Sequence, residues 1–132
     1  MIFNASTSRE INTAFTDLAR DPLDAIFIGN DAFFYSRRVQ LAIQASRDAV
    51  PAIFASREYA EAGGLMSYGT NFADTFSQVG IYTGRILKGI RPADVPVMQS
   101  SKFELVINAE TARTLGVTVP PMLLARADEV IE

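Results

Sequence analysis

The stretch Leu65-Met66-Ser67-Tyr68-Gly69-Thr70-Asn71, together with residues 72–88, decides the fold of this chain. Its two apolar residues predict a short strand that ends in a turn at the glycine. Asn71 or Thr70 can then cap a helix, because either side-chain oxygen accepts from the free amides of the first turn. Apolar positions follow at helical spacing and form one stripe. The stripe consists of Phe72, Phe76, Val79, Thr83, Ile86 and Leu87.

Strands and helices alternate along the rest of the chain. The predicted strands are residues 1–5, 24–30, 51–55, 65–68 and 103–107. The predicted helices are a segment opened by the capping box Thr7-Ser8-Arg9-Glu10, then residues 32–49, 57–62, 72–88, 109–115 and 122–130. This alternation predicts a three-layer α/β fold with a mostly parallel sheet. The length of 132 residues suits a single domain.

Composition excludes several classes of function. The chain has no cysteine and no histidine, so Ser-His-Asp and Cys-His catalysis and thiolate metal sites are excluded. Carboxylate chemistry stays open, but no phosphate-binding loop occurs, and we expect no enzyme, cofactor or metal. The net charge of −3, without a basic stripe, argues against a nucleic-acid partner. The first residues lack the features of a signal peptide, so we expect the chain as written to be cytoplasmic.

Polar and aromatic residues follow three of the predicted strands. Ligands of open parallel sheets bind outside the carboxyl ends of the strands, so these residues are candidates for a binding site. They are Asn30, Asp31, Phe34, Arg57, Glu58, Ser67 and Tyr68. Asp31 would accept an amino or hydroxyl group and Arg57 a carboxylate, while Phe34 or Tyr68 would stack on an apolar part. This mix suits a small polar or zwitterionic ligand.

Each candidate also has a purely structural interpretation. Asn30 and Asp31 can be turn and cap residues, Phe34 can belong to the core, and Arg57 and Glu58 can form a solvated ion pair. A phosphorylatable receiver domain would use Asp31, but the acidic pair and the lysine that it also needs are missing.

Four stretches of the second half carry a resemblance to a known family. They are Tyr59-Ala60-Glu61-Ala62-Gly63-Gly64-Leu65-Met66-Ser67-Tyr68-Gly69, Gly84-Arg85-Ile86-Leu87-Lys88-Gly89 with Pro92-Ala93-Asp94-Val95-Pro96-Val97, Lys102-Phe103-Glu104-Leu105-Val106-Ile107-Asn108, and Leu124-Ala125-Arg126-Ala127-Asp128-Glu129-Val130-Ile131. The chain resembles ABC transporter substrate-binding proteins of the type that includes tryptophan- and tyrosine-binding members.

The resemblance implies one lobe of a type I periplasmic-binding fold, in which two lobes close on a ligand. The chain would correspond to most of the second lobe, truncated before it, with residues 70–95 as a hinge-crossing helix segment and a return crossing near residues 96–103. Full-length relatives would be periplasmic and would serve an ABC permease. A helix separated from its usual partner would need another apolar surface, so we expect a homodimer.

Three interpretations follow from this resemblance. The chain could be a partial solute-binding component of an importer that binds a small molecule, such as an amino acid, without chemistry. Alternatively, it could be a cytosolic dimeric interaction or ligand-sensing module, or a remnant with no function of its own. An amino-acid affinity would separate the first two from the last.

Overall fold

A computed structural model of the chain describes residues 1–98 and 102–132. Its helices are α1 (Ser8–Arg20), α2 (Ala32–Ser36), α3 (Arg38–Arg47), α4 (Arg57–Glu61), α5 (Phe72–Leu87), α6 (Ala109–Thr114) and α7 (Pro121–Leu124). Its strands are β1 (Ile26–Ile28), β2 (Ala52–Phe54), β3 (Met66–Thr70), β4 (Phe103–Asn108) and β5 (Glu129–Ile131). The predicted alternation of strands and helices is therefore confirmed over most of the chain.

The five strands form one sheet in the order β1-β2-β3-β4-β5. The pairs β1–β2, β2–β3 and β4–β5 are parallel. Between β3 and β4 the backbone amide of Asn71 donates to Lys102 and that of Asn108 donates to Leu65. Between these two hydrogen bonds the residue numbers rise along β3 and fall along β4, so β4 runs antiparallel to β3. The fold is a mostly parallel α/β sheet with flanking helices, as predicted.

The first helix forms where the capping box predicts it. The Thr7 hydroxyl accepts from the amide of Glu10 at 3.2 Å, and the Glu10 carboxylate accepts from the amides of Ser6 and Thr7. These hydrogen bonds, of which the one from Ser6 has the largest effect, lower the pKa of Glu10. The apolar face of α1 then buries Ile11, Phe15 and Leu18 against the sheet and α3.

Three predicted elements differ from the structure. Residues 1–5 form no strand, because Phe3 and Ala5 are held by packing against the core rather than by ladder hydrogen bonds. Residues 32–49 do not form one helix, since the backbone at Arg37 has φ −107° and ψ 15° and separates α2 from α3. The prediction of one terminal helix over residues 122–130 is also wrong.

The terminal segment turns into a strand because of Asp128. Its carboxylate accepts from the amide of Leu105 at 2.7 Å, and its own amide donates to the carbonyl of Leu105 at 2.9 Å. These two bonds bring the following residues into register with β4, where Ile107 lies opposite Val130. A helical apolar spacing is thus overridden by pairing with a strand distant in sequence.

The chain divides into two compact units, Met1–Gly69 with Glu104–Glu132, and Thr70–Phe103. The first contains the core, in which Phe54 is fully buried and stacks on Tyr59 with ring centroids 4.7 Å apart. The second consists mainly of α5, which is capped by Asn71 and followed by Gly89 at φ +102°. The hinge-crossing interpretation of residues 70–95 stays a prediction, and residues 99–101 of the return crossing lie outside the described residues.

Candidate functional site

Because β4 runs antiparallel to β3, the carboxyl ends of three strands and the amino ends of two others lie at one edge of the sheet. β1, β2 and β3 end at the same edge of the sheet at which β4 and β5 begin. We call this edge, which carries Arg57 after β2, the Arg57 edge. It contains the predicted strand-end residues and, in addition, the first residues of β4 and β5.

The guanidinium group of Arg57 is bound by three carboxylates. Its Nε lies 2.9 Å from Glu61, its Nη1 lies 3.3 Å from Glu104 and its Nη2 lies 2.6 Å from Glu129. The hydrogen bonds to Glu61 and Glu129 are the largest causes that raise the pKa of Arg57 above its usual value. The charged form of Arg57 is thus stabilised by carboxylates of the protein, and its ion pairs are with these three glutamates rather than with Glu58.

Asp31 and Phe34 lie together after β1. The Asp31 Oδ1 accepts from the amides of Phe33 and Phe34 at 2.8 and 3.3 Å, so Asp31 caps α2. Both Asp31 and Phe34 line a depression of about 380 Å³. Phe34 also packs partly against the core, while Asn30 is exposed. The structure therefore confirms the capping interpretation of Asp31 and leaves its ligand role a prediction.

Glu58 lies beside the buried phenol of Tyr59, which is only 3% exposed. Burial is the main cause that raises the pKa of Tyr59 to about 12, and the charges of Asp31 and Glu58 raise it further against the opposing effect of Arg38. The ring of Tyr59 lies 6.4 Å from that of Tyr35 on α2, so the connections that follow β1 and β2 lie close together.

Ser67 and Tyr68 occupy β3 and face opposite sides of the sheet. Ser67 is buried and lies in register with Phe54 of β2, while Tyr68 is 56% exposed. Of the seven predicted residues, the structure thus places Asp31 with Phe34 in one depression, and Arg57 and Glu58 on the neighbouring α4.

Several buried oxygens at the strand ends stand out. Among the described residues, Ser56 Oγ, Glu58 Oε2 and Ser67 Oγ are buried without a hydrogen-bond partner. A buried polar atom without a partner destabilises the fold by about 1–3 kcal/mol, so such atoms are rare in proteins. Ser56 and Glu58 follow the end of β2, and Ser67 lies in β3 opposite Phe54, the last residue of β2.

Sequence reasoning missed three residues at this edge. Glu104 was not a candidate, because a strand parallel to its neighbours would begin at the opposite edge, and Glu129 was not, because residues 122–130 were predicted to be helical. Ser56 had a signal in its position directly after β2. For the two glutamates, no signal in the sequence reports the direction of β4.

Another cavity of the first unit has a volume of about 620 Å³. It is lined by the first residues, by α1 and by β1, and apolar side chains such as Phe15, Leu18 and Phe34 dominate its walls. Within the part of the chain that the structure describes, no group of three acidic side chains is arranged to hold a metal ion.

Comparison with known proteins identifies the family. A sequence profile of the ABC transporter substrate binding protein family matches residues 1–131. The chain belongs to this family. The resemblance expected from the sequence is therefore confirmed. Because the family is one of substrate-binding proteins, the expectation of a binding rather than a catalytic protein agrees with it at the family level.

Solved structures of this fold match nearly the whole chain. The ABC domain from Streptococcus pneumoniae in complex with L-Trp has a TM-score of 0.84 and 29% identity, over 98% of this chain and 44% of that chain. A conserved domain protein from Vibrio cholerae O1 biovar El Tor has a TM-score of 0.83 and 28% identity, over 96% of this chain and 42% of that chain.

A relative found by sequence aligns with a shorter part of the chain. The tyrosine-binding protein of Clostridioides difficile (strain R20291) is 24% identical over 110 residues, which are 83% of this chain and 32% of the relative. The chain thus spans about a third of this relative. None of the helices in the described residues has the length and apolar character needed to cross a membrane.

Proposed function

We propose that this chain is a partial solute-binding component of an ABC-type importer and that its ligand is an amino acid with an aromatic side chain. The observation that carries the proposal is the likeness of 98% of the chain to a domain solved in complex with L-Trp. The tyrosine-binding relative supports the same class of ligand. No chemistry is involved, because the function is binding and release.

The ligand site that we propose lies at the Arg57 edge. Asp31 and Glu58 supply negative charge for an ammonium group, and the aromatic rings of Phe34 and Tyr68 supply stacking surfaces. The unpartnered oxygens of Ser56 and Glu58 are polar groups that a ligand would satisfy. We expect weak binding, because a single lobe provides only half of a closed cleft.

Nuclear magnetic resonance titration with L-tryptophan tests this proposal. We expect the backbone amides that follow β1 and β2 to shift, with a dissociation constant on the order of 1 mM. Glycine serves as a control ligand, since it lacks the aromatic part. The absence of shifts at L-tryptophan concentrations about ten times that value would contradict the proposal.

Asp31→Asn tests the charge at this site without loss of the helix cap, because asparagine caps helices as well as aspartate does. We expect it to weaken L-tryptophan binding about 5- to 10-fold, the effect of losing one charge-assisted contact. Asp17→Asn is the matched control, since Asp17 forms an exposed pair with Arg20 at 3.6 Å on α1, away from the proposed site. Equal affinities of the two variants would exclude Asp31 from the site.

We also propose that two copies of this chain form a homodimer. A full-length form would deliver its ligand from the periplasm to an ABC permease. Support for the second copy comes from α5, whose 16 residues include none that is buried. Phe76, Val79 and Leu87 on its apolar stripe are 72%, 56% and 82% exposed. A specific interface removes at least about 1,000 Å² from water, and the stripe is an apolar surface that a second copy would cover.

A further inference from the structure

We propose that Arg57 is a positioning residue, which joins α4 to the starts of β4 and β5 and thereby holds Glu58 in place at the Arg57 edge. The effect of Arg57 on ligand binding rests on the proposed function. Its role in joining α4, β4 and β5 is independent of that function. This role replaces the contact between Arg57 and a ligand carboxylate that the sequence suggested.

The three carboxylates around Arg57 come from three separate elements. Glu61 lies one turn further along α4, Glu104 is the second residue of β4 and Glu129 is the first residue of β5. All three nitrogens of the guanidinium group are engaged, at distances of 2.6 to 3.3 Å. A single side chain therefore connects segments that are 47 and 72 residues apart in the sequence.

The geometry requires arginine. A guanidinium group presents five donors in a rigid plane, whereas the lysine ammonium is a compact charge that cannot span three carboxylates in different directions. The side chain of Glu104 is only 11% exposed, so the nearby charge of Arg57 stabilises a carboxylate that water solvates poorly. The strand β5 has only three residues and pairs with β4 alone, so the contact with Glu129 adds a second attachment.

The charge of the cluster also disfavours a ligand carboxylate. One guanidinium and three carboxylates carry a net charge of −2, and Glu58 adds to it at the adjacent position. A carboxylate approaching Arg57 would meet this excess of negative charge, whereas an ammonium group would be attracted. Arg57 thus acts on a ligand through the position of Glu58 rather than by contact.

Amide hydrogen exchange tests the joining of the elements without any ligand. In Arg57→Met and in the milder Glu129→Gln, we expect the amides of β5 and α4 to exchange at least 10-fold faster, while those of α1 keep their rates. Arg47→Met is the matched control, because the ion pair of Arg47 is with the neighbouring Asp48 and joins no separate elements. Unchanged exchange in β5 and α4 of both variants would overturn the proposal.

A pair of ligands tests the effect on binding. L-tryptophan carries a carboxylate and tryptamine does not, while both carry the ammonium group and the ring. If Arg57 positions Glu58, then Arg57→Lys and Glu129→Gln weaken both ligands by the same factor, about 10-fold. A loss confined to L-tryptophan in Arg57→Lys would show direct contact and overturn the positioning role.

The two experiments distinguish a wrong ligand class from a wrong role of Arg57. If the unmodified chain binds neither ligand, the proposed ligand class is wrong, and hydrogen exchange alone then decides whether Arg57 joins the three elements. Faster exchange confined to β5 and α4 would support that part, and unchanged exchange would refute it.

Discussion

Gly69 lies where β3 passes the end of β2. A Cβ atom built on it would overlap the carbonyl oxygen of Ala55 and would lie 2.8 Å from the Ala55 carbonyl carbon. Both atoms belong to the backbone, so neither can move aside without shifting a strand. Glycine at this position therefore permits the close approach of β2 and β3 that brings their ends together.

We expect Gly69→Ala to lower the free energy of unfolding by about 1–3 kcal/mol, as overpacking against a fixed neighbour does. Gly80→Ala is the control, because among the described residues nothing beyond the backbone of its own helix lies within 4 Å of a Cβ there, and alanine favours the interior of a helix such as α5. Urea denaturation of the two variants measures the difference. Equal stability of Gly69→Ala and the unmodified chain would contradict the close approach.

Tyr59 makes the stability of the fold sensitive to alkaline pH. Burial raises the pKa of its phenol from 10.0 to about 12. The folded state therefore holds the proton more tightly than the unfolded state, so this contribution is complete below about pH 10 and is lost as pH rises through about 12. The loss amounts to roughly 2–3 kcal/mol.

We expect Tyr59→Phe to flatten the fall of the unfolding free energy between about pH 10 and pH 12. The measurement is urea denaturation at several alkaline pH values, with tyrosinate absorbance reporting the titration. Tyr68→Phe serves as the control, because Tyr68 is more than half exposed. A fall of the same slope in Tyr59→Phe and the unmodified chain would show that another group causes it.

At the scale of elements, α5 differs most from the other helices. Its stripe has the spacing of a helix that packs on an apolar surface, yet Phe76 is 72% exposed. We expect native mass spectrometry to show a dimer, and Phe76→Ser to weaken dimerisation 10-fold or more, because about 1.5–3 kcal/mol of apolar burial is lost per side chain.

Met122→Ser is the control for this prediction. Met122 is as exposed as Phe76, at 73%, but lies on α7 in the other unit. The variant should dimerise like the unmodified chain. A compact monomer of the unmodified chain at micromolar concentration would contradict a second copy on α5.

The elements that the sequence predicted correctly share strong local signals. α1 has a complete capping box, and α5 and α6 are each capped by an asparagine whose side chain accepts from the third following amide. The elements that it missed depend on distant partners. The strand β5 exists because Asp128 bonds to Leu105, 23 residues away, and no local pattern reports that contact.

At the scale of the whole molecule, the family and the class of fold were accessible from the sequence, and the profile match over residues 1–131 confirms them. Only part of the candidate site could be predicted from the sequence. Strand-end position brought Asp31, Arg57 and Glu58 into consideration, and the structure places them on neighbouring connections. The role of Arg57 could not be predicted, because two of its three partners, Glu104 and Glu129, lie at the starts of strands whose direction the sequence does not show.

The sequence by itself determined the alternation of strands and helices, the helix caps and the family, because spacing, capping and motif are properties of adjacent residues. The tertiary structure decided that β4 reverses the sheet and that Glu104 and Glu129 meet Arg57. The physical reason is that an ion pair between distant residues forms only after the strands are paired. The same charged residue that resembles a ligand contact in the sequence is thus surrounded, in the folded chain, by carboxylates of the protein.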